Sequence, residues 1–155
     1  MTIKERIGAD LTAAMKSKDA ARLSVMRMVK ARMLEAEVEL RSKKGLDYQL
    51  EDPEALSVIT AYAKQRRDSI DAYRQGGRTD LAEKEEAELA ILQEYLPAQL
   101  PEAEIRRLVA EAIAVSGATS AKEMGAVMKI LMPKVKGAAD GGVVNRIVRE
   151  LLGGG

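Results

Sequence analysis

The chain contains no cysteine and no histidine in its 155 residues. Without cysteine there are no disulfides, no thiol nucleophile and no thiolate metal ligands. Without histidine the commonest general base and the commonest metal ligand are gone as well. Tryptophan and phenylalanine are also absent, and the 3% of aromatic residues are four tyrosines. The core must therefore be built from aliphatic side chains, with the eight methionines filling gaps between them. No apolar run is long enough to span a membrane, and the opening MTIKERIGADL has no signal-peptide core. A cytoplasmic protein without cofactor, metal or membrane contact is the expectation.

The residues present belong to a folded chain: 46% are hydrophobic and 32% charged. Net charge is only +1, so there is no overall attraction to a polyanion. Residues 1–95 carry 17 cations and 18 anions, whereas from Ala118 onward 6 cations face 3 anions. The positive bias is mild and C-terminal.

Hydrophobic spacing is helical throughout, which predicts an all-α fold. The first helix is expected over Ile3–Met15 and a long second one over Asp19–Arg41. The second places Leu23, Val25, Met26, Met28, Val29, Met33 and Leu34 on more than one face, as a helix surrounded by neighbours would. Residues 42–51 read as a loop. Asp52-Pro53-Glu54 then supplies a capping carboxylate, a first-turn proline and a second acid for a helix using Leu56, Ile59, Ala63, Ile70 and Tyr73. Gly76-Gly77 ends it, and a fourth helix follows from Asp80 to about Tyr95.

Leu96-Pro97-Ala98-Gln99-Leu100-Pro101 is the expected domain boundary, with Pro101 in the first turn of the next helix. It separates a bundle of about four helices (residues 1–96) from a three-helix domain (residues 97–155). The stripes of that domain are Ile105/Leu108/Val109/Ala112, Met124/Val127/Met128/Leu131 and Val144/Ile147/Val148/Leu151. Gly153-Gly154-Gly155 reads as a frayed tail.

The polar residues of the first 96 positions offer little chemistry. Glu83, Glu85, Glu86 and Glu88 lie on one helix with Lys84 among them and read as a solvated face rather than a cation site. Lys16, Lys18, Arg22, Arg27, Lys30 and Arg32 scatter around their helix instead of forming a stripe, which suits salt bridges and snorkelling. Tyr48, Tyr62, Tyr73 and Tyr95 lack the interleaved basic residues of a base-stacking platform. Neither a P-loop nor a strand-led G-x-G-x-x-G occurs. No catalytic residue and no small-molecule substrate emerge.

Thr119–Asn145 is richer. Ser120-Ala121-Lys122-Glu123 matches a capping box, and Lys122 and Lys129 lie seven residues apart with Gly125 and Ala126 between them. Pro133 should end or kink that helix, Lys134 and Lys136 flank the turn at Gly137, and Asp140 should cap a final helix showing Asn145, Arg146 and Arg149. Two readings fit. The lysines are solvated while Gly125 and Gly137 allow close packing and a turn, or the cations, glycine-loop N–H groups and a helix N-terminus together contact phosphates.

Glu94-Tyr95-Leu96-Pro97-Ala98-Gln99-Leu100, Met124-Gly125-Ala126-Val127-Met128 and the run Pro133–Gly141 before Val144-Asn145 resemble the YqeY family. Its members are small standalone proteins similar to the C-terminal tail of the GatB subunit of tRNA amidotransferase. The resemblance implies an all-α, two-part protein whose partner is tRNA or a tRNA-modifying or aminoacylation complex. It also implies a family label of amidotransferase-like, a carbon–nitrogen ligase with glutamine as amido donor, although this chain lacks a counterpart of the catalytic domain. Nucleic-acid contacts would then fall to Lys122, Gly125, Lys129, Lys134, Lys136, Gly137, Asn145, Arg146 and Arg149. One departure stands out: the glycine loop of the family is commonly basic where this chain has Ala138. The alternative is a helical protein-interaction module with no role in RNA binding.

Overall fold

The computed structural model describes residues 1–153, so Gly154 and Gly155 of the expected tail lie outside the described residues. Seven α-helices and one short 3-10 turn make up the regular structure, and no strand occurs among the described residues. The fold is all-α. The helices group into two compact units, Met1–Leu96 and a second from Pro97 onward.

The first unit holds α1 (Ile3–Ser17), α2 (Ala20–Lys44), α3 (Asp52–Gln75) and α4 (Thr79–Gln93). Thr2 caps α1 through its hydroxyl, which accepts from Glu5 N, while Glu5 Oε2 accepts from Thr2 N in return. Asp19 caps α2 by accepting from Arg22 N. The helix runs three residues beyond the expected Arg41, because Arg41, Lys43 and Lys44 suit the negative end of the dipole. At α3 the cap is Glu51 rather than Asp52: Glu51 N donates to Glu54 Oε2, and Asp52 instead accepts from Ile3 N at 2.9 Å.

α2 packs against α1, α3 and α4, burying Val25, Met26, Val29 and Met33 against Ile7, Ile59 and Leu92. Each such aliphatic side chain contributes about 1.5–3 kcal/mol relative to exposure. The helix is nonetheless not enclosed. Met28, Leu34 and Val38 are 45%, 56% and 54% exposed, so its apolar residues form one buried face and a second that is bare.

The acidic cluster of α4 is not simply solvated. Arg66 on α3 pairs with Glu85 and, at 2.7 Å, with Glu88, and it donates to the Tyr62 hydroxyl; Arg74 pairs with Glu86. These contacts join α3 to α4 and let Glu88 be buried. The tyrosine faces also serve the fold. Arg6 lies 4.4 Å over Tyr95, Arg32 and Arg66 lie over Tyr62, and Lys44 over Tyr48.

The second unit holds α5 (Glu102–Ser116), α6 (Met124–Val135) and α7 (Gly141–Leu151). α5 packs against both others, burying Ile105, Val109 and Ala112 against Val127, Leu131, Val144, Ile147 and Val148. Pro101 takes the N-cap position rather than the first turn. The predicted stripe of α7 slips at its end, where Leu151 is 42% exposed and Leu152 turns inward in its place. Leu152 lies four residues after Val148, so the capping turn carries it back onto the buried face. The segment ahead of α5 is tied to the α6–α7 loop: Leu100 N donates to Ala138 O (2.8 Å) and Gln99 Nε2 to Gly137 O (2.9 Å).

Candidate nucleic-acid interface

The predicted cationic surface is carried by α6, α7 and the segments flanking them. Ser120-Ala121-Lys122-Glu123 does not form a capping box. Residues 121–123 wind into a 3-10 turn, Ser120 makes no side-chain cap bond, and Glu123 Oε1 accepts instead from the Thr119 hydroxyl at 3.1 Å. Lys122 projects from this turn into solvent.

Gly125 opens α6 and is exposed. A Cβ built on it meets nothing within 4 Å, so close helix packing is not the reason for this glycine. Lys129 lies on the exposed side of the same helix. Pro133 does not stop α6, which continues to Val135. Only the last turn lies beyond the proline, so the cost reduces to the missing donor for the Lys129 carbonyl. Lys134 reaches toward Glu111 of α5 at 3.8 Å, and Lys136 caps the helix while remaining exposed.

Gly137 is needed for its backbone. With φ at +79° it takes the left-handed conformation that reverses the chain, and it is buried. Ala138 is buried too, its carbonyl held by Leu100. In this chain the loop position that the family pattern fills with a basic residue therefore faces the interior of the unit.

Asp140 caps α7, accepting from Gly142 N at 2.7 Å. As expected, the positive end of that helix holds the chain's own carboxylate. Arg146 is committed as well: it pairs with Glu102 (3.0 Å) and Glu150 (3.0 Å), while Arg106 binds the same two acids. Arg146 foremost, with Arg106, holds the Glu102 carboxyl below its ordinary 4.5; Arg106 foremost does the same for Glu150. Asn145 is half-buried, with its Oδ1 shielded and unpartnered.

Of the nine predicted contact residues, four cations remain exposed with no ion pair among the described residues: Lys122, Lys129, Lys136 and Arg149. The first three recur every seven residues along α6 and its flanks, two helical turns apart. Gly125 lies between two of them. Arg146 and Lys134 are drawn toward α5, and Gly137 is not on the surface.

Sequence reasoning missed a polar centre in the first unit. Glu37 is only 3% exposed. It accepts from Lys4 Nζ (2.5 Å), Arg41 Nη2 (2.8 Å) and Leu50 N (2.9 Å). The signal was available, because Glu37 falls four residues after Met33 and eight after Val29, an acid on the buried stripe of α2. No group of three or more acidic, histidine or cysteine side chains able to hold a metal occurs among the described residues. No helix of the described residues is long and apolar enough to cross a membrane.

The family model described as Yqey-like protein matches residues 4–152. The chain belongs to that family. Curated relatives include the protein named altered inheritance of mitochondria protein 41, mitochondrial, in several fungi. The one from Pyrenophora tritici-repentis is 33% identical over 96% of this chain and 80% of its own length. Those from Eremothecium gossypii (34%, 66% of this chain) and Candida glabrata (33%, 56% of this chain) are matched over 53% and 46% of theirs, so this Yqey-like chain spans about half of each. The names correct one expectation. The relatives are named as mitochondrial proteins, which overturns the cytoplasmic assignment.

Proposed function

We propose that this Yqey-like protein is a non-catalytic RNA-binding accessory module that takes tRNA on the α6 side of its second unit, in the setting of a tRNA-modifying or aminoacylation complex. One observation carries the reading. Lys122, Lys129, Lys136 and Arg149 are exposed without carboxylate partners among the described residues, whereas Arg106, Arg107 and Arg146 of the same unit are all paired. Unpaired cations at regular spacing beside a side-chain-poor glycine suit a phosphate backbone. Selection would rest on shape and charge rather than on base reading, since the surface offers no aromatic ring.

Labelled tRNA titrated at 50 and 200 mM salt tests this. Four phosphate contacts give a log–log salt slope of about −3, an affinity loss of roughly 60-fold over that range. Lys129→Glu combined with Lys136→Glu should flatten the slope by about 2 and weaken binding at low salt. Lys84→Glu, on the first unit, serves as the control and should change neither. Absence of tRNA binding at low salt sinks the proposal, and glutaminase or transamidation turnover above blank sinks its non-catalytic part.

A further inference from the structure

A groove of about 480 Å3 lies between α1 and α2 in the first unit, walled by Ile7, Gly8, Met33, Leu34 and Leu50 with Lys4 and Lys30 at its sides. Gly8 sits inside α1, where glycine is among the least favourable residues. Neither a positive φ nor a close neighbour explains it: a Cβ at Gly8 meets nothing within 4 Å. The missing side chain keeps the groove wall open.

The apolar surface also extends beyond the cavity. Leu34 and Val38, one turn apart on α2, are 56% and 54% exposed. At 100° per residue, Arg27, Lys30, Leu34 and Val38 fall within an arc of about 80°, and Glu35 and Glu39 lie at least about 60° outside it. Arg27 and Lys30 are exposed and have no ion pair among the described residues. Two acids line the groove: Glu37 is buried and bound by Lys4 and Arg41, and Glu5 accepts from Thr2 N in the cap of α1.

We propose that the α1/α2 groove receives an acidic amphipathic helix of a partner protein. Its apolar face would lie along Leu34 and Val38 and against the bare backbone at Gly8, and its carboxylates would meet Arg27 and Lys30. A small ligand accounts for the cavity but not for the exposed strip along α2. A second copy joined two-fold through this face would add another Arg27 and Lys30 to the interface and no carboxylate from this arc of α2. The surface belongs to the first unit, so the inference stands apart from the RNA reading.

The test is fluorescence anisotropy of a labelled synthetic helix with leucine at i, i+3, i+4 and i+7 and glutamate elsewhere, titrated with the full chain. Saturable binding is expected, with a lysine-for-glutamate version at least about tenfold weaker. Gly8→Leu, which fills the groove, and Lys30→Glu, which reverses the rim charge, should each weaken binding at least about tenfold. The thermal midpoint of Gly8→Leu should stay at or above wild type, since leucine is the better helix former. Absent or non-saturable binding overturns the proposal. So does equal binding of the acidic and basic helices, or unchanged binding by both variants. Decanoate that binds saturably and displaces the helix makes the groove a small-amphiphile site and overturns it; a dimer in sedimentation that Lys30→Glu disperses assigns the groove to a second copy and overturns it too.

Discussion

Replacing Glu37 with glutamine removes the charge from an acid that has almost no contact with water yet touches three donors. Breaking a buried ion pair by deleting one partner costs about 3–5 kcal/mol, mostly through the charge left behind. Here the surviving cations keep access to solvent, since the Lys4 and Arg41 side chains are 39% and 29% exposed. Screening and rehydration therefore reduce the loss, and the glutamine oxygen can still accept from Leu50 N, which leaves about 2 kcal/mol. For a unit of this size, that lowers the unfolding midpoint by roughly 10 °C.

The pH dependence has a definite sign. The Lys4 hydrogen bond first, then that from Leu50 N, holds the Glu37 carboxyl below its ordinary 4.5. A carboxyl depressed in the folded state stabilises fully above its unfolded value and loses that contribution as pH falls through the folded one. Thermal and urea unfolding of the full chain, followed by far-ultraviolet circular dichroism, should show the full gap between wild type and Glu37→Gln at neutral pH. The gap should shrink progressively below pH 4.5. Glu39→Gln, on the exposed side of α2, should stay within about 0.5 kcal/mol of wild type. A Glu37→Gln variant as stable as that control, or a gap that does not shrink on acidification, would refute the reasoning.

The Glu54 carboxyl is held at about 2 by the Tyr48 hydroxyl foremost, then by Glu51 N and Lys44. In Tyr48→Phe its midpoint, read from the side-chain carboxyl resonance, should rise toward 4.5; a midpoint that stays near 2 would show that the tyrosine is not the main cause. Gly137→Ala should cost about 1–2 kcal/mol in urea unfolding because an L-residue resists the left-handed backbone. Gly125→Ala, in an open helical position, should range from neutral to about 1 kcal/mol more stable, and equal losses at the two glycines would contradict both assignments.

The helices were legible because their signals are local. Asp140 accepts the expected backbone N–H, Gly77 takes a positive φ where the third helix ends, and Ile105, Val109 and Ala112 are buried at the predicted spacing. The misreadings of charged side chains share one cause, which is a partner distant in sequence. Asp52 looked like a cap until Ile3 N claimed it, and the α4 acids looked solvated until Arg66 and Arg74 of α3 met them. The cations of this candidate surface are visible in the sequence, but their availability is not. Arg146 and Lys134 find acids on α5, which no spacing rule within α6 or α7 could reveal.

Composition and periodicity alone determined an all-α chain with largely aliphatic cores and no thiol or imidazole chemistry, because helical burial repeats every 3.6 residues and an absent side chain cannot act. The motifs around Pro97, Gly125 and Gly137 also point to its family. Only tertiary packing decided which charges remain free. An ion pair depends on separations of a few ångströms between side chains that can lie dozens of positions apart, and packing alone sets those separations. It paired Glu37 and Arg146, turned Ala138 inward, and left Arg27, Lys30, Lys129 and Lys136 facing solvent without ion-pair partners among the described residues.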